Sequence, residues 1–300
     1  VSSADRNVVA QIVTIQRRAA LERERAGQCD ALAVRCEVRT AAAEGSLRAL
    51  HQRLARLHRG AQSRHLMAAE LHELLAARME ARRHCATGGR PVLMEAVANV
   101  LGTESALAML GGRTRDAAMV AASNATAQAS HDLELVMAEG PVTDAAKGVA
   151  VVAAGSALVD RWPSYGPAAA ELGIRAVSAA PLGIAGVTLG AVCGLDQTAE
   201  APDGAGVAIS LMAEALTQIL LGNSDIAGPD VELGASKMLG EATQAVVHQA
   251  TGMISVQSGC GIEDALDLLA ARAFADGRPV HEIAEQVVRG HAAFAFGSVR

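Results

Sequence analysis

Aromatic side chains are nearly absent: one Trp, one Tyr and three Phe stand in 300 residues. Three of the five (Phe274, Phe294 and Phe296) fall in the last 27 positions. That scarcity excludes an aromatic-rich sandwich core, and it excludes a nucleic-acid binder that stacks successive bases on ring platforms. Cysteine is also sparse. Cys29, Cys36, Cys85, Cys193 and Cys260 are odd in number, form no Cys-x-x-Cys and lack zinc-ligand spacing. They predict neither a disulfide framework nor a metal site, and scattered thiols of this kind predict a reducing, cytoplasmic compartment. One long uncharged run exists, Ala176 to Leu195. It is long enough to span a bilayer, yet Pro181, Gly183, Gly186, Gly190 and Gly194 interrupt it. Two buried strands joined by a hairpin at Ala185-Gly186 are predicted there, with no membrane span.

What is abundant is alanine within a 51% hydrophobic composition, which favours helices with thin, closely packed cores. Charge is abundant too, but unevenly divided. Residues 1–86 hold 15 Arg against 9 acidic residues, net +6; residues 87–300 hold 11 basic against 23 acidic, net −12. A basic front on an acidic body fits either a charged, solvated helical surface or a nucleic-acid contact.

Three textures follow one another. Residues 1–88 read as a helical, coiled-coil-like segment. Leu47, Leu50, Leu54 and Leu57 have 3-4-3 spacing, and the register continues through Ala61, Ala68, Leu71 and Leu75. A helical hairpin and a long dimeric rod fit this pattern equally. His51, His58, His65 and His72 repeat every seven residues, about 10 Å apart along a helix, too far to share a metal ion and fit for a solvated face. Residues 89–222 mix an amphipathic helix, Pro91 to Leu101, with short apolar runs at 106–110, 117–122, 149–153, 174–182 and 187–195. Helical stretches lie at 125–136, 166–172 and 206–221, so an α/β domain with a central antiparallel sheet is predicted. Residues 223–235 read as a linker, and 236–300 as a three-helix unit punctuated by Gly259, Gly277 and Pro279.

The tail carries a recognisable sequence. His248-Gln249-Ala250-Thr251-Gly252-Met253, Ala265-Leu266, the stretch from Ala273 to Ala284 and Val287-Val288 together resemble the ANTAR domain. That is the RNA-binding transcription antitermination module of bacterial regulators. The middle resembles a GAF sensor domain of the type found beside ANTAR in actinobacteria. Its matching residues are Ala138-Glu139-Gly140-Pro141, Asp144-Ala145, Arg161-Trp162-Pro163, Ile174-Arg175-Ala176-Val177, Pro181-Leu182 and Leu189-Gly190. The resemblance implies a homodimeric, cytoplasmic regulator that binds hairpins in nascent transcripts and takes a small-molecule signal at its GAF-like domain. Two positions depart from the family: Thr251 and Ala270 stand where relatives commonly carry basic residues. A protein-interaction module whose tail no longer binds RNA is the alternative.

On this reading Arg272, Arg278 and Arg289 carry the RNA contact, assisted by His281 and His248. Glu139, Trp162 and Tyr165 are the ligand candidates, Trp and Tyr because each joins an apolar body to a polar tip. A structural role competes at each: Trp162-Pro163 fits a helix start against the sheet, and Glu139-Gly140-Pro141 fits a turn at a helix end. Cys193, in an apolar strand, reads as an inert buried thiol. No nucleophile–base pair, phosphate loop or zinc motif occurs, so neither enzymatic activity nor a cofactor is expected.

Overall fold

A computed structural model describes residues 3–83, 92–111, 119–184, 186–222, 241–276, 278 and 280–290. The expected linker at 223–235, Cys85, Gly277, Pro279, Phe294 and Phe296 lie outside the described residues. The chain divides into two compact units, Val1–Gly88 with Glu214–Ile219, and Gly89–Ala213 with Leu220–Arg300.

In the first unit α1 (Ser3–Ala42) and α2 (Gly45–Arg83) form an antiparallel hairpin. Only Ala43 and Glu44 separate them, and Gly45 takes the turn with a φ of +55°. Of the two architectures left open by the sequence, the hairpin is the one formed. Its buried residues are mostly alanine with a few aliphatics: Ile12, Ile15, Ala19, Ala26 and Ala33 on α1, and Ala55, Ala69 and Ala76 on α2. Small side chains let the two backbones approach closely, so the alanine ridge of α2 rather than its leucine ridge faces α1.

This choice moves the expected seam. Leu47, Leu50 and Leu57 are 59%, 50% and 59% exposed, while Leu71 and Leu75 further along the same register are buried. The histidine stripe, expected on a solvated face, lies instead along the helix contact. His65 Nδ1 is 2.6 Å from Glu22 Oε2 on α1, and His72 is buried with Nδ1 2.6 Å from the Ala68 carbonyl. The reason is positional: His51, His58, His65 and His72 flank the alanine ridge and are drawn inward with it. Burial lowers the His72 pKa from its ordinary value.

The second unit opens with α3 (Val92–Leu101) and a five-stranded sheet. The strands are β1 (Ser105–Leu110), β2 (Met119–Ala122), β3 (Val151–Ala154), β4 (Ala176–Ile184) and β5 (Val187–Asp196), ordered β2-β1-β5-β4-β3 and antiparallel throughout. The uncharged run from Ala176 to Leu195 is therefore the β4–β5 hairpin, with Gly186 at φ +83° in its turn. No helix among the described residues is long and apolar enough to cross a membrane. At Gly190 the strands leave no room for a side chain, since a Cβ would lie 1.9 Å from the Met109 carbonyl oxygen.

Four helices connect the strands: α4 (Ala125–Met137), α5 (Pro141–Ala145), α6 (Ser156–Arg161) and α7 (Tyr165–Glu171), and α8 (Ala205–Gly222) follows the sheet. The Asn124 side chain caps α4 by accepting from the Ala127 amide at 2.9 Å. Leu107, Val177, Ala179, Cys193 and Leu195 point from one sheet face into a core shared with Val142, Leu158, Trp162, Tyr165 and Ala169. Ser178 and Gly194 alternate to the opposite face, where they meet α3 and α8 around a cavity of about 80 Å³.

The tail folds as α9 (Glu241–Ser258), α10 (Ile262–Ala275) and α11 (Val280–Val288). Ala250 and Ile254 meet Ala265, Leu269 and Ala273, and Val280, Ile283, Ala284 and Val287 complete the core. Gly259, expected to separate the first two helices, ends α9 with a φ of +65°. Ile262, the first residue of α10, is exposed. Helix α4 also packs against α10, and Asp132 Oδ2 accepts from the Val280 amide at the start of α11 at 3.2 Å.

Candidate nucleic-acid interface

Three arginines of the tail stand where solvent can reach them, but none is an isolated cation. Arg272 Nε donates to Asp276 Oδ2 at 2.7 Å, Arg278 Nη2 to Glu282 Oε2 at 3.0 Å, and Arg289 Nη2 to Glu285 Oε2 at 2.7 Å. Each partner is four residues away on the helical surface, the spacing at which side chains meet. Such exposed pairs contribute only ~0.3–0.5 kcal/mol, so a phosphate competes with them at small cost. The arginines do not form one cluster. Arg278 precedes α11 and Arg289 follows it, so the two lie about 15 Å apart along the axis. His281 is half-buried, and its Nδ1 has no hydrogen-bond partner among the described residues. His248 is on α9, and its side chain lies outside the described atoms.

Thr251 and Ala270 are both buried, and Thr251 Oγ1 donates to the Val247 carbonyl at 2.8 Å. Small residues are what this packing accepts at the two positions. The tail is acidic: residues 241–290 contain three Arg against seven Asp and Glu, net −4.

In the sheet domain the residues singled out by sequence do come together, as parts of one buried network. Trp162 and Tyr165 meet edge to face, with ring centres 5.9 Å apart and planes at 83°. Both are buried. Trp162 Nε1 donates to Asp144 Oδ2 at 3.2 Å, and Tyr165 Oη lies 2.7 Å from Ser130 Oγ. Glu139 Oε1 accepts from the Ser164 and Tyr165 amides and so closes the start of α7. Arg161 lies over the Trp162 ring, its guanidinium carbon 5.4 Å from the centre, and reaches Asp144 Oδ2 at 3.2 Å. Burial pushes the Asp144 pKa up, but Lys147, Trp162 and Arg161 outweigh it and hold the carboxylate below its ordinary value.

Glu134 is the residue that sequence reasoning missed. It lies on the inward face of α4, 2% exposed, with Oε1 accepting from the Val142 amide at 3.0 Å and Oε2 from the Thr143 amide at 2.8 Å. Burial raises its pKa to about 7, against the pull of those two amides. Its signal was present in the spacing of Ala127, Ser130 and Glu134, three and four residues apart on one helical face. Burial raises the Tyr165 and Cys193 pKa values well above their ordinary ones, so the Cys193 thiol stays protonated and unreactive. Among the described residues no group of three His, Cys, Asp or Glu side chains could hold a metal ion.

Compared with known proteins, residues 241–288 match the family model of the ANTAR domain, a span that takes in α9, α10 and α11. No curated protein matches the chain.

Proposed function

We propose that this chain is a cytoplasmic, signal-responsive transcription antitermination regulator whose tail binds hairpin RNA under control of a GAF-like sensor. The observation that carries this is the ANTAR match, because it coincides with three helices that close one hydrophobic core. RNA binding is what the ANTAR resemblance implies, and Arg272, Arg278, Arg289, His281 and His248 remain the tail's candidates for it.

The sensor role would fall to Glu139, Trp162 and Tyr165, whose side chains form a closed, bonded network with Trp162 and Tyr165 in the core. A small ligand entering there must part the Ser130–Tyr165 and Asp144–Trp162 bonds. Occupancy would then be coupled to movement of α4, which carries Ser130 and Glu134 toward the core and Asp132 toward α11. Differential affinity of a ligand for two positions of α4 is sufficient to shift the tail between two states.

The test is a fluorescence anisotropy titration of the full chain with a two-hairpin RNA over a salt series. Binding whose log affinity falls linearly with log salt is expected. Absence of RNA binding at every salt concentration would overturn the reading in favour of a protein-interaction module.

The exposed Leu47, Leu50 and Leu57 support a second copy of the chain at the hairpin. Light scattering should then give about 61 kDa, twice the 30.6 kDa chain mass. A concentration-independent value near the chain mass would remove the dimer.

A further inference from the structure

The family match and the positive charge fall on different parts of this chain. Phosphate neutralisation dominates the affinity of proteins for nucleic acids. The tail offers three arginines, each already paired with a carboxylate, on a surface of net −4. The turn end of the α1–α2 hairpin is the reverse. Residues 31–57 contain five Arg and two Glu, net +3. Arg35, Arg39, Arg48, Arg53 and Arg56 are all exposed there.

No carboxylate bonds any of these five among the described residues. Arg48 Nε donates to the Ala43 carbonyl at 2.9 Å and Arg56 Nε to the Gln52 carbonyl at 3.5 Å, contacts that steady the stems and leave the terminal nitrogens free. Neighbouring arginines show that this is a local property and not a general lack of acids. Arg59 is bonded by both Asp30 and Glu37, Arg23 by Glu73 and Arg25 by Glu22. Arg35 and Arg39 are one helical turn apart, about 6 Å along the axis. Beside Arg56 the two helices leave an open groove of about 410 Å³, lined also by Thr40, Gln52, Ala55, Arg59 and Glu37, whose carboxylate is held by Arg59. Amide, hydroxyl and guanidinium donors around an open groove suit a phosphodiester backbone.

We infer that the hairpin end bearing Arg35, Arg39, Arg48, Arg53 and Arg56 is a second RNA-binding surface, and that it supplies most of the phosphate contacts. The inference rests on the RNA-binding reading above and divides the labour within it: the tail supplies the recognition module and the hairpin supplies the charge. The exposed Val34 and Val38 on the same segment make an anionic lipid surface the rival partner. RNA is favoured because the ANTAR match is to an RNA-binding module.

The experiment compares the full-length parent with R35Q/R39Q, R53Q/R56Q and R272Q/R278Q, titrating a two-hairpin RNA between 50 and 300 mM salt. All six positions are exposed, and circular dichroism checks that each variant keeps its helices. Each hairpin pair should weaken binding about tenfold and lower the salt slope by about 1.8, the value for two lost contacts on a duplex stem. R35K/R39K should restore the slope, and R272Q/R278Q should lower it by less than either hairpin pair does. The inference is overturned if the hairpin variants bind like the parent, whether or not the tail variant loses affinity. A parent that binds no RNA would refute the functional reading itself. Binding of such a parent to phosphatidylserine vesicles, lost in R35Q/R39Q, would assign the surface to a membrane instead.

Discussion

Gly140→Ala should destabilise the central domain by about 3–4 kcal/mol, near the upper end of what single substitutions do. Two causes act together. Gly140 has a φ of +152°, a conformation that side-chain-bearing residues rarely adopt. A Cβ there would also lie 2.3 Å from Glu134 Cγ, 2.4 Å from its Cδ and 2.7 Å from Oε2. Glu134 cannot swing aside freely, because its two oxygens hold the Val142 and Thr143 amides at the start of α5. Urea unfolding of the full chain measures the loss. A double-mutant cycle with Glu134→Ala separates the causes, since removing the carboxylate should leave only the backbone strain of Gly140→Ala. A Gly140→Ala protein within about 0.5 kcal/mol of the parent would show that the α4–α5 junction yields, a shift small enough for an ordinary surface change.

The second large effect is a dependence of stability on pH set by Glu134. Its carboxyl has a pKa of about 7 when folded and 4.5 as the reference value. The folded state therefore keeps a proton that the unfolded chain releases between those pH values. Stability is greatest below about pH 4.5 as far as this group is concerned, falls through the window, and levels off above 7. The shift corresponds to an upper bound of about 3 kcal/mol. His72 works in the opposite sense. Its folded pKa is lowered by burial, so its contribution strengthens as pH rises toward 6.5. Comparing the parent with Glu134→Gln cancels the histidine. Between pH 5 and 8 the parent should lose ~2–3 kcal/mol more than the variant. Parallel curves would mean that the two amides keep Glu134 ionised throughout.

Much of the fold was legible because hydrophobic period marks elements that bury one face or two. The runs at 106–110, 174–182 and 187–195 became β1, β4 and β5, and the spacing of Ala265, Leu269 and Ala273 became the inner face of α10. Helices α5 and α6 escaped notice since five and six residues are too few to display a period. The hairpin shows a different limit. Leucine spacing predicts a seam by hydrophobicity, whereas helix pairing also rewards close approach, and the alanine ridge at Ala55, Ala69 and Ala76 permits more of it. At the candidate sites residue type was a partial guide. Trp162 and Tyr165 were noticed for their rarity, whereas of the groups that bond them Asp144 was quoted only for the family resemblance and Ser130 not at all. The pairing of the tail arginines was readable, given an acid four positions away in each case. Glu134 was hidden by the habit of assigning glutamate to surfaces.

The sheet order has a consequence for how safely this chain can be made. The two longest strands, β4 and β5, come from twenty consecutive residues without charge, a composition prone to intermolecular pairing. In the folded sheet β5 lies at the centre and β4 next to it, while both margins are four-residue strands, β2 and β3. Short margins offer few open amides to another chain. Aggregation is therefore a hazard of the interval before β1 and β3 dock, and conditions that prolong that interval should lower the soluble yield more than conditions that merely warm the native protein.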